Sequence, residues 1–439
     1  MKFYNRNSEI NQLSDTRKRS LNNAQFTVIT GRRRIGKTRL LLYATATQPT
    51  LYFFVARKAE SFLCQDFVHE IKEKLGAPIL GEVSSFGKLF EYLMEYSKDK
   101  PFNLIIDEFQ EFYHIAPYVY SEMQHYWDVH KNESKINLIV SGSVFSLMHK
   151  IFESSKEPLF GRATRMMKIS PFQTSVLKEI LSDHNSTWTP EDLLALYSFT
   201  GGVAKYVQLL IDGGAYTRQT MIDMMIQEDS PFLQEGKNML IEEFGKEYAT
   251  YFTILSAIAR GENTRGKIEA VVKREIGGFL TKMERDYNLI SKVTPIYSKV
   301  ETKNVRYIIE DNFLTFWFRF VYKYIHIIEI GGFNELREII NRDYDTFSGK
   351  MLERYFRSRI IEEKNITRIG GYWDRKGKIE IDLIVVNETE KRAEIIEVKR
   401  NAANINLTKL REKGVYFGSI TSELKDYKIS YRGLSLKDM

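Results

Sequence analysis

The sequence predicts an α/β fold built on a parallel sheet. The runs 26-FTVIT-30, 103-NLIIDEFQEF-112 and 136-INLIVSGS-143 each begin with a short apolar stretch, the pattern of a strand buried on both faces. The first and third lead into helix-length segments, 37-KTRLLLYATA-46 and 144-VFSLMHKIF-152. A glycine-bounded basic loop joins the first strand to its helix, and that connection carries the first chemistry.

At 439 residues and 43% apolar content the chain has the length of about three domains with cores of their own. The excess of Lys and Arg over Asp and Glu, 64 against 57, leaves a net charge of +7, too thinly spread to identify a polyanionic partner. The single cysteine, Cys64, excludes an intramolecular disulfide and a multi-thiolate zinc site and fits a reducing compartment, so a cytoplasmic location is expected. Seven scattered histidines form no spaced pair for a transition metal. No apolar run of signal-peptide length opens the chain. The nearest candidate for a membrane span, 313-FLTFWFRFVYKYIHIIEI-330, is interrupted by Arg319, Lys323 and Glu329 and reads as a buried, aromatic-rich helix.

Between strand and helix lies Gly31-Arg32-Arg33-Arg34-Ile35-Gly36-Lys37-Thr38, followed by Arg39. It satisfies G-x-x-x-x-G-K-[ST] in the strand-before, helix-after setting that this P-loop requires. The glycines let the backbone turn so that its N–H groups converge on phosphate oxygens at a helix N-terminus. Lys37 is expected to reach the β- and γ-phosphates of ATP, and Thr38 to place a hydroxyl on Mg²⁺. The middle arginines either form a solvated loop face or grip nucleic acid or a neighbouring subunit.

About seventy residues later, Asp107 and Glu108 end a hydrophobic strand. Asp107 is placed to hold the Mg²⁺ shell, and Glu108 to polarise the attacking water. Ser141 or Ser143 either sits beside the γ-phosphate as a sensor of hydrolysis or caps the helix that follows. Arg162, in 158-PLFGRATRMMKISPF-172, is either a plain surface residue or a guanidinium that reaches a phosphate in its own or an adjacent subunit.

Together with 3-FYNRNSEINQL-13 and 200-TGGVAKYV-207, these motifs resemble the archaeal-type ATPase family of P-loop proteins, related to AAA+ and to the signal-transduction ATPases with numerous domains (STAND). The resemblance implies an ATPase core over residues 1–172 and a helical lid over 173–238. It also implies an adenine flanked by residues near Phe3 to Arg6. Ala204 stands where family members usually carry proline, which weakens a nucleotide-sensing role for that segment.

The lid reading agrees with 190-PEDLLALYSFTGG-202, which has proline at a helix start and glycines at its end. Over 239–312, helical stretches precede two strands around a polar turn, the outline of a winged helix, which places a helix on DNA or serves protein contacts. In 313–439 the strands Ile379–Val386 and 393-AEIIEVKR-400 form a hairpin. Period-two alternation puts Glu380 and Asp382 on one face of the first strand, and Glu397 and Lys399 on one face of the second. Such a hairpin is expected to bring all four groups together, able to bind a second Mg²⁺ or Mn²⁺. Glu353, on the helix that buries Leu352, Phe356 and Ile360, looks toward the same place. The order Glu353, Asp382, Glu397-Val398-Lys399 resembles the PD-(D/E)XK superfamily of restriction-endonuclease-like folds.

Two functions are therefore expected to compete. One is an ATP-hydrolysing machine acting on DNA through a nuclease-like domain. The other is a nucleotide-controlled signalling or assembly switch, possible as a homo-oligomer, whose nuclease-like part is inactive and binds partners.

Overall fold

The computed structural model describes residues 1–79, 81–244 and 248–439. The chain divides into two compact units, one of residues 5–170 and the other of residues 1–4 with 171–439.

The first unit is an α/β layer structure. Its strands β1 (Gln25–Thr30), β2 (Thr50–Phe54), β3 (Asn103–Asp107), β4 (Asn137–Ser141) and β5 (Arg165–Lys168) form one sheet in the order β2-β3-β4-β1-β5. Every pairing is parallel. The three inner strands are buried almost throughout, which explains why they read as unbroken apolar runs rather than as alternation. Phe26, Val28, Leu104, Ile106, Leu138 and Val140 project into one continuous core. Parallel strands end together, so Thr30, Asp107 and Ser141 reach the same edge of the sheet. In open α/β sheets that carboxyl edge is where ligands bind.

The second unit opens with the helices Thr174–His184, Pro190–Thr200, Ala204–Asp212, Arg218–Met225 and Pro231–Phe244. Pro190 occupies the first turn of its helix, Thr189 and Asp192 form a reciprocal capping box, and Gly201 ends the helix in the left-handed region at φ 58°. Gly202 is also left-handed, and a Cβ there would stand 2.4 Å from the Phe172 carbonyl oxygen. Ala204 is the first residue of the next helix, a position that proline tolerates equally well.

Three further helices, Tyr248–Ala259, Arg265–Val272 and Gly277–Arg285, precede an antiparallel pair, β6 (Ile290–Val293) with β7 (Arg306–Ile309). The sequence suggests a helix over 247-EYATYFTILSAIARG-261, whose first residue, Glu247, lies outside the described residues. The connection between β6 and β7 packs on the last sheet of the unit. The Ile296 amide donates to the Gly371 carbonyl at 2.8 Å, and Asn304 exchanges hydrogen bonds with the Trp373 indole and carbonyl.

The aromatic run after β7 is buried, but not as one regular helix. Short helices Asn312–Phe316 and Ile325–Glu329 flank a π-helical turn over Trp317–Tyr322. No helix among the described residues is long and apolar enough to cross a membrane. A long helix, Phe333–Glu362, then buries Leu352, Phe356 and Ile360. The last sheet has the order β11-β10-β9-β8, from β8 (Arg368–Trp373), β9 (Glu380–Asn387), β10 (Arg392–Val398) and β11 (Lys428–Leu434). Its antiparallel hairpin β9–β10 is the one the sequence suggests, and β11 adds in parallel to β10 after the helix Leu407–Ile420.

Candidate functional site

The basic loop connects the end of β1 to the helix Lys37–Thr45 through three left-handed residues, Gly31 at φ 153°, Arg34 at φ 67° and Gly36 at φ 94°. A Cβ on Gly31 would stand 2.8 Å from the Ile169 carbonyl oxygen, so this turn needs glycine on steric grounds alone. Ile35 is buried beneath the loop, while Arg33 and Arg39 are exposed and Arg32 and Arg34 half-buried. The Lys37 ammonium folds back over the loop and donates to the carbonyls of Gly31 at 2.8 Å and Arg32 at 3.2 Å. Burial pushes its pKa down to about 8, against the opposing pull of Glu108 and Asp107.

Opposite the loop, Asp107 accepts from the Thr38 hydroxyl at 2.6 Å and from the Tyr52 phenol at 2.8 Å on Oδ2. On Oδ1 it accepts from the Ser141 hydroxyl and, at 3.0 Å, from the Glu108 amide. Glu108 itself is left-handed at φ 53°, a strained backbone for a residue with a Cβ, which turns its side chain out of the strand direction. Its Oε2 accepts from the Ser143 hydroxyl at 2.7 Å and from Gln110 Nε2 at 2.6 Å. The two serines thus divide the work: Ser141 orients Asp107 and Ser143 orients Glu108. Neither caps the helix Phe145–Glu153, whose N-cap, Val144, offers no side-chain hydrogen bond.

Arg6 lies near this edge. It is left-handed at φ 76°, and its guanidinium donates to Glu9 at 3.0 Å and to the Ser170 carbonyl at 2.8 Å, next to the Ile169 that packs on Gly31. Arg162 does not lie there. It precedes β5, and β5 runs parallel to β1, so Arg162 sits at the sheet edge opposite the basic loop. There it pairs with Asp128 at 2.8 Å and donates to the Pro158 carbonyl at 2.7 Å. Reach to a phosphate on the same chain is ruled out by strand direction.

The second cluster lies where the β9–β10 ladder ends. Ile396 pairs with Leu383, so the next facing pair is Glu397 with Asp382. The Asp382 carboxylate takes over as acceptor for the Val398 amide at 2.8 Å. Lys399 stands between the two acids, 3.3 Å from Asp382 and 3.8 Å from Glu397. Glu397 also accepts from the Asn406 amide at 3.0 Å and pairs with Lys413 at 3.5 Å. Burial, followed by the negative charge of Asp382, pushes the Glu353 carboxyl up to about 7.

Glu380 breaks the expected foursome. It is turned to Arg306 on β7, at 2.5 Å, and that guanidinium also stacks on Trp373. Among the described residues no group of three or more His, Cys, Asp or Glu side chains is placed to hold a metal ion. The acids here are already paired with lysines and an arginine, so the second Mg²⁺ or Mn²⁺ does not fit this arrangement. Tyr52, Lys413 and Arg306 have no signal in the sequence, because they act through strand register or long-range packing, whereas Gln110 reaches Glu108 from two residues away in the turn Phe109–Glu111.

Comparison with known proteins finds an ATPase domain in the part of the chain that holds the first cluster. A family model described as an ATPase domain predominantly from Archaea matches residues 3–210, and one described as archaeal and bacterial proteins of unknown function matches residues 317–413. An uncharacterized protein of Methanocaldococcus jannaschii, MJECL04, is 30% identical over 437 residues, covering 98% of this chain and 94% of its own length. The solved Walker-type ATPase PABY2304 of Pyrococcus abyssi shares the fold, with a TM-score of 0.54 at 20% identity over 72% of this chain and 96% of that one.

Proposed function

Because this chain belongs to the family of ATPases found predominantly in Archaea, we propose that it hydrolyses ATP at the carboxyl edge of β1, β3 and β4 and transmits the result to a C-terminal domain that engages nucleic acid. The observation that carries the reading is the hydroxyl–carboxylate pair Thr38–Asp107, 2.6 Å apart, beside a lysine held on the loop carbonyls. In this reading the amides of residues 31–38 cradle the phosphates, and Lys37 leaves the Gly31 carbonyl for the β- and γ-phosphate oxygens. Glu108, aimed by Ser143 and Gln110, takes the proton of the water that attacks the γ-phosphorus, and ADP and phosphate leave. Oxygen donors suit a hard cation, so Thr38 and Asp107 would hold Mg²⁺, which neutralises phosphate charge when bound. Arg162, set on the far edge, serves a neighbouring subunit in a homo-oligomer.

For the second unit, the E-x-K strand bearing Glu397 and Lys399 beside Asp382 supports a nuclease-like architecture. The three helices and β6–β7 pair support a winged helix, although the connection between those strands is engaged with β8. A switch reading, in which this domain only binds partners, is favoured by the lysines that neutralise Asp382 and Glu397. The test has two arms. Polynucleotide is expected to raise ATP turnover, and no response removes nucleic acid as the partner. Cutting of DNA with Mg²⁺ or Mn²⁺ is compared among wild type, Glu397→Ala and Lys399→Ala. Cutting lost in both variants establishes a nuclease, whereas equal cutting, or none in wild type, leaves the switch.

A further inference from the structure

The edge strand β2 contributes one polar group to the nucleotide site. Tyr52 is in register with Ile105 of β3, two residues before Asp107. Two strand residues advance about 6.6 Å, close to the reach of a tyrosine side chain, so the phenol extends along the sheet to Asp107 Oδ2 at 2.8 Å. With Thr38, Ser141 and the Glu108 amide, the carboxylate then accepts four hydrogen bonds. A carboxylate has about four lone-pair sites, so the acceptor capacity of Asp107 is full.

The four donors are not equivalent. Ser141 and the amide occupy Oδ1, and Thr38 can rotate to present its oxygen to a cation. Tyr52 meets the acceptor-only carboxylate as a donor, its hydroxyl 2.8 Å from Oδ2. When Thr38 turns to the cation its place on Oδ2 opens, but the cation then meets an oxygen made less basic by the Tyr52 hydrogen bond, unless that bond breaks. The geometry points to Tyr52 as a positioning residue that competes with the divalent cation for Asp107 and sets how much of that cation the ATPase requires. This rests on Asp107 being the carboxylate that serves the cation.

Mn²⁺ binding to the full chain saturated with ADP, read by electron paramagnetic resonance, tests it, with ADP affinity in EDTA measured separately. Tyr52→Phe keeps the ring and removes the donor; the loss of one hydrogen bond is expected to tighten Mn²⁺ binding about two- to tenfold, with ADP affinity in EDTA unchanged. Tyr52→Met, a second donor-free side chain, should move the same way. Unchanged or weaker Mn²⁺ binding in either folded variant overturns the proposal. Asp107→Asn separates the two failures. If it weakens Mn²⁺ binding while Tyr52→Phe changes nothing, only the role of Tyr52 falls; if it has no effect, the reading of the nucleotide edge falls with it.

Discussion

The nucleotide edge of the first unit and the acid–lysine cluster of the second both gather carboxylates at strand ends, yet they leave those groups in opposite states. At the first, Asp107 and Glu108 accept mainly from hydroxyls and amides, neutral donors that orient a carboxylate without cancelling its charge. At the second, Asp382, Glu397 and Glu380 each face a cation, Lys399, Lys413 or Arg306. A site that must bind a cation and move a proton keeps its charge available. The comparison therefore assigns chemistry to the first site with more force than to the second.

The sharpest way to break that contrast is Glu108→Gln. Loss of the base is expected to lower ATP turnover a hundredfold or more while ATP binding, followed by calorimetry, persists. Turnover at the normal rate would remove Glu108 from the mechanism. Lys37→Ala comes next: without its charge-assisted hydrogen bonds ATP affinity should fall at least tenfold in the same assay. Ser143→Ala removes one donor from Glu108 and should slow turnover about two- to tenfold, leaving nucleotide affinity in place.

The smallest effect belongs to the second site and sharpens the comparison from its side. Glu353 has a folded pKa of about 7 against an ordinary 4.5, so the folded chain retains a proton that the unfolded chain has released in that window. Its contribution to stability is complete below the lower value and is lost as pH rises through 7. Melting temperature should therefore decline from pH 5 to pH 8, and Glu353→Gln should flatten the decline by a few degrees. An identical slope in the variant would place the cause elsewhere.

How far these sites could be read from sequence follows from how local they are. The loop from Gly31 to Thr38 is contiguous, so its residues prescribe the turn, the helix start and the lysine together. Asp107 and Glu108 were legible because a buried strand delivers them to a known edge. Tyr52 was not, since in 51-LYFF-54 a phenol looks like any other core aromatic until the β2–β3 register is known. Glu380 shares a strand face with Asp382 as alternation requires, but an arginine 74 positions away claims it. Arg162 stands out as a candidate, yet only the parallel direction of β5 shows which edge it occupies. The aromatic run at 313–330 was legible as core, whereas its π-helical turn depends on packing that periodicity does not encode.

The account stands on one site, and titration calorimetry reaches it directly. ATP with Mg²⁺ added to the Glu108→Gln chain should give a saturable heat for one site per chain, abolished when Lys37→Ala is combined with it. A well-folded chain that takes up ATP with no heat, or with the same heat when Lys37 is gone, would contradict the assignment.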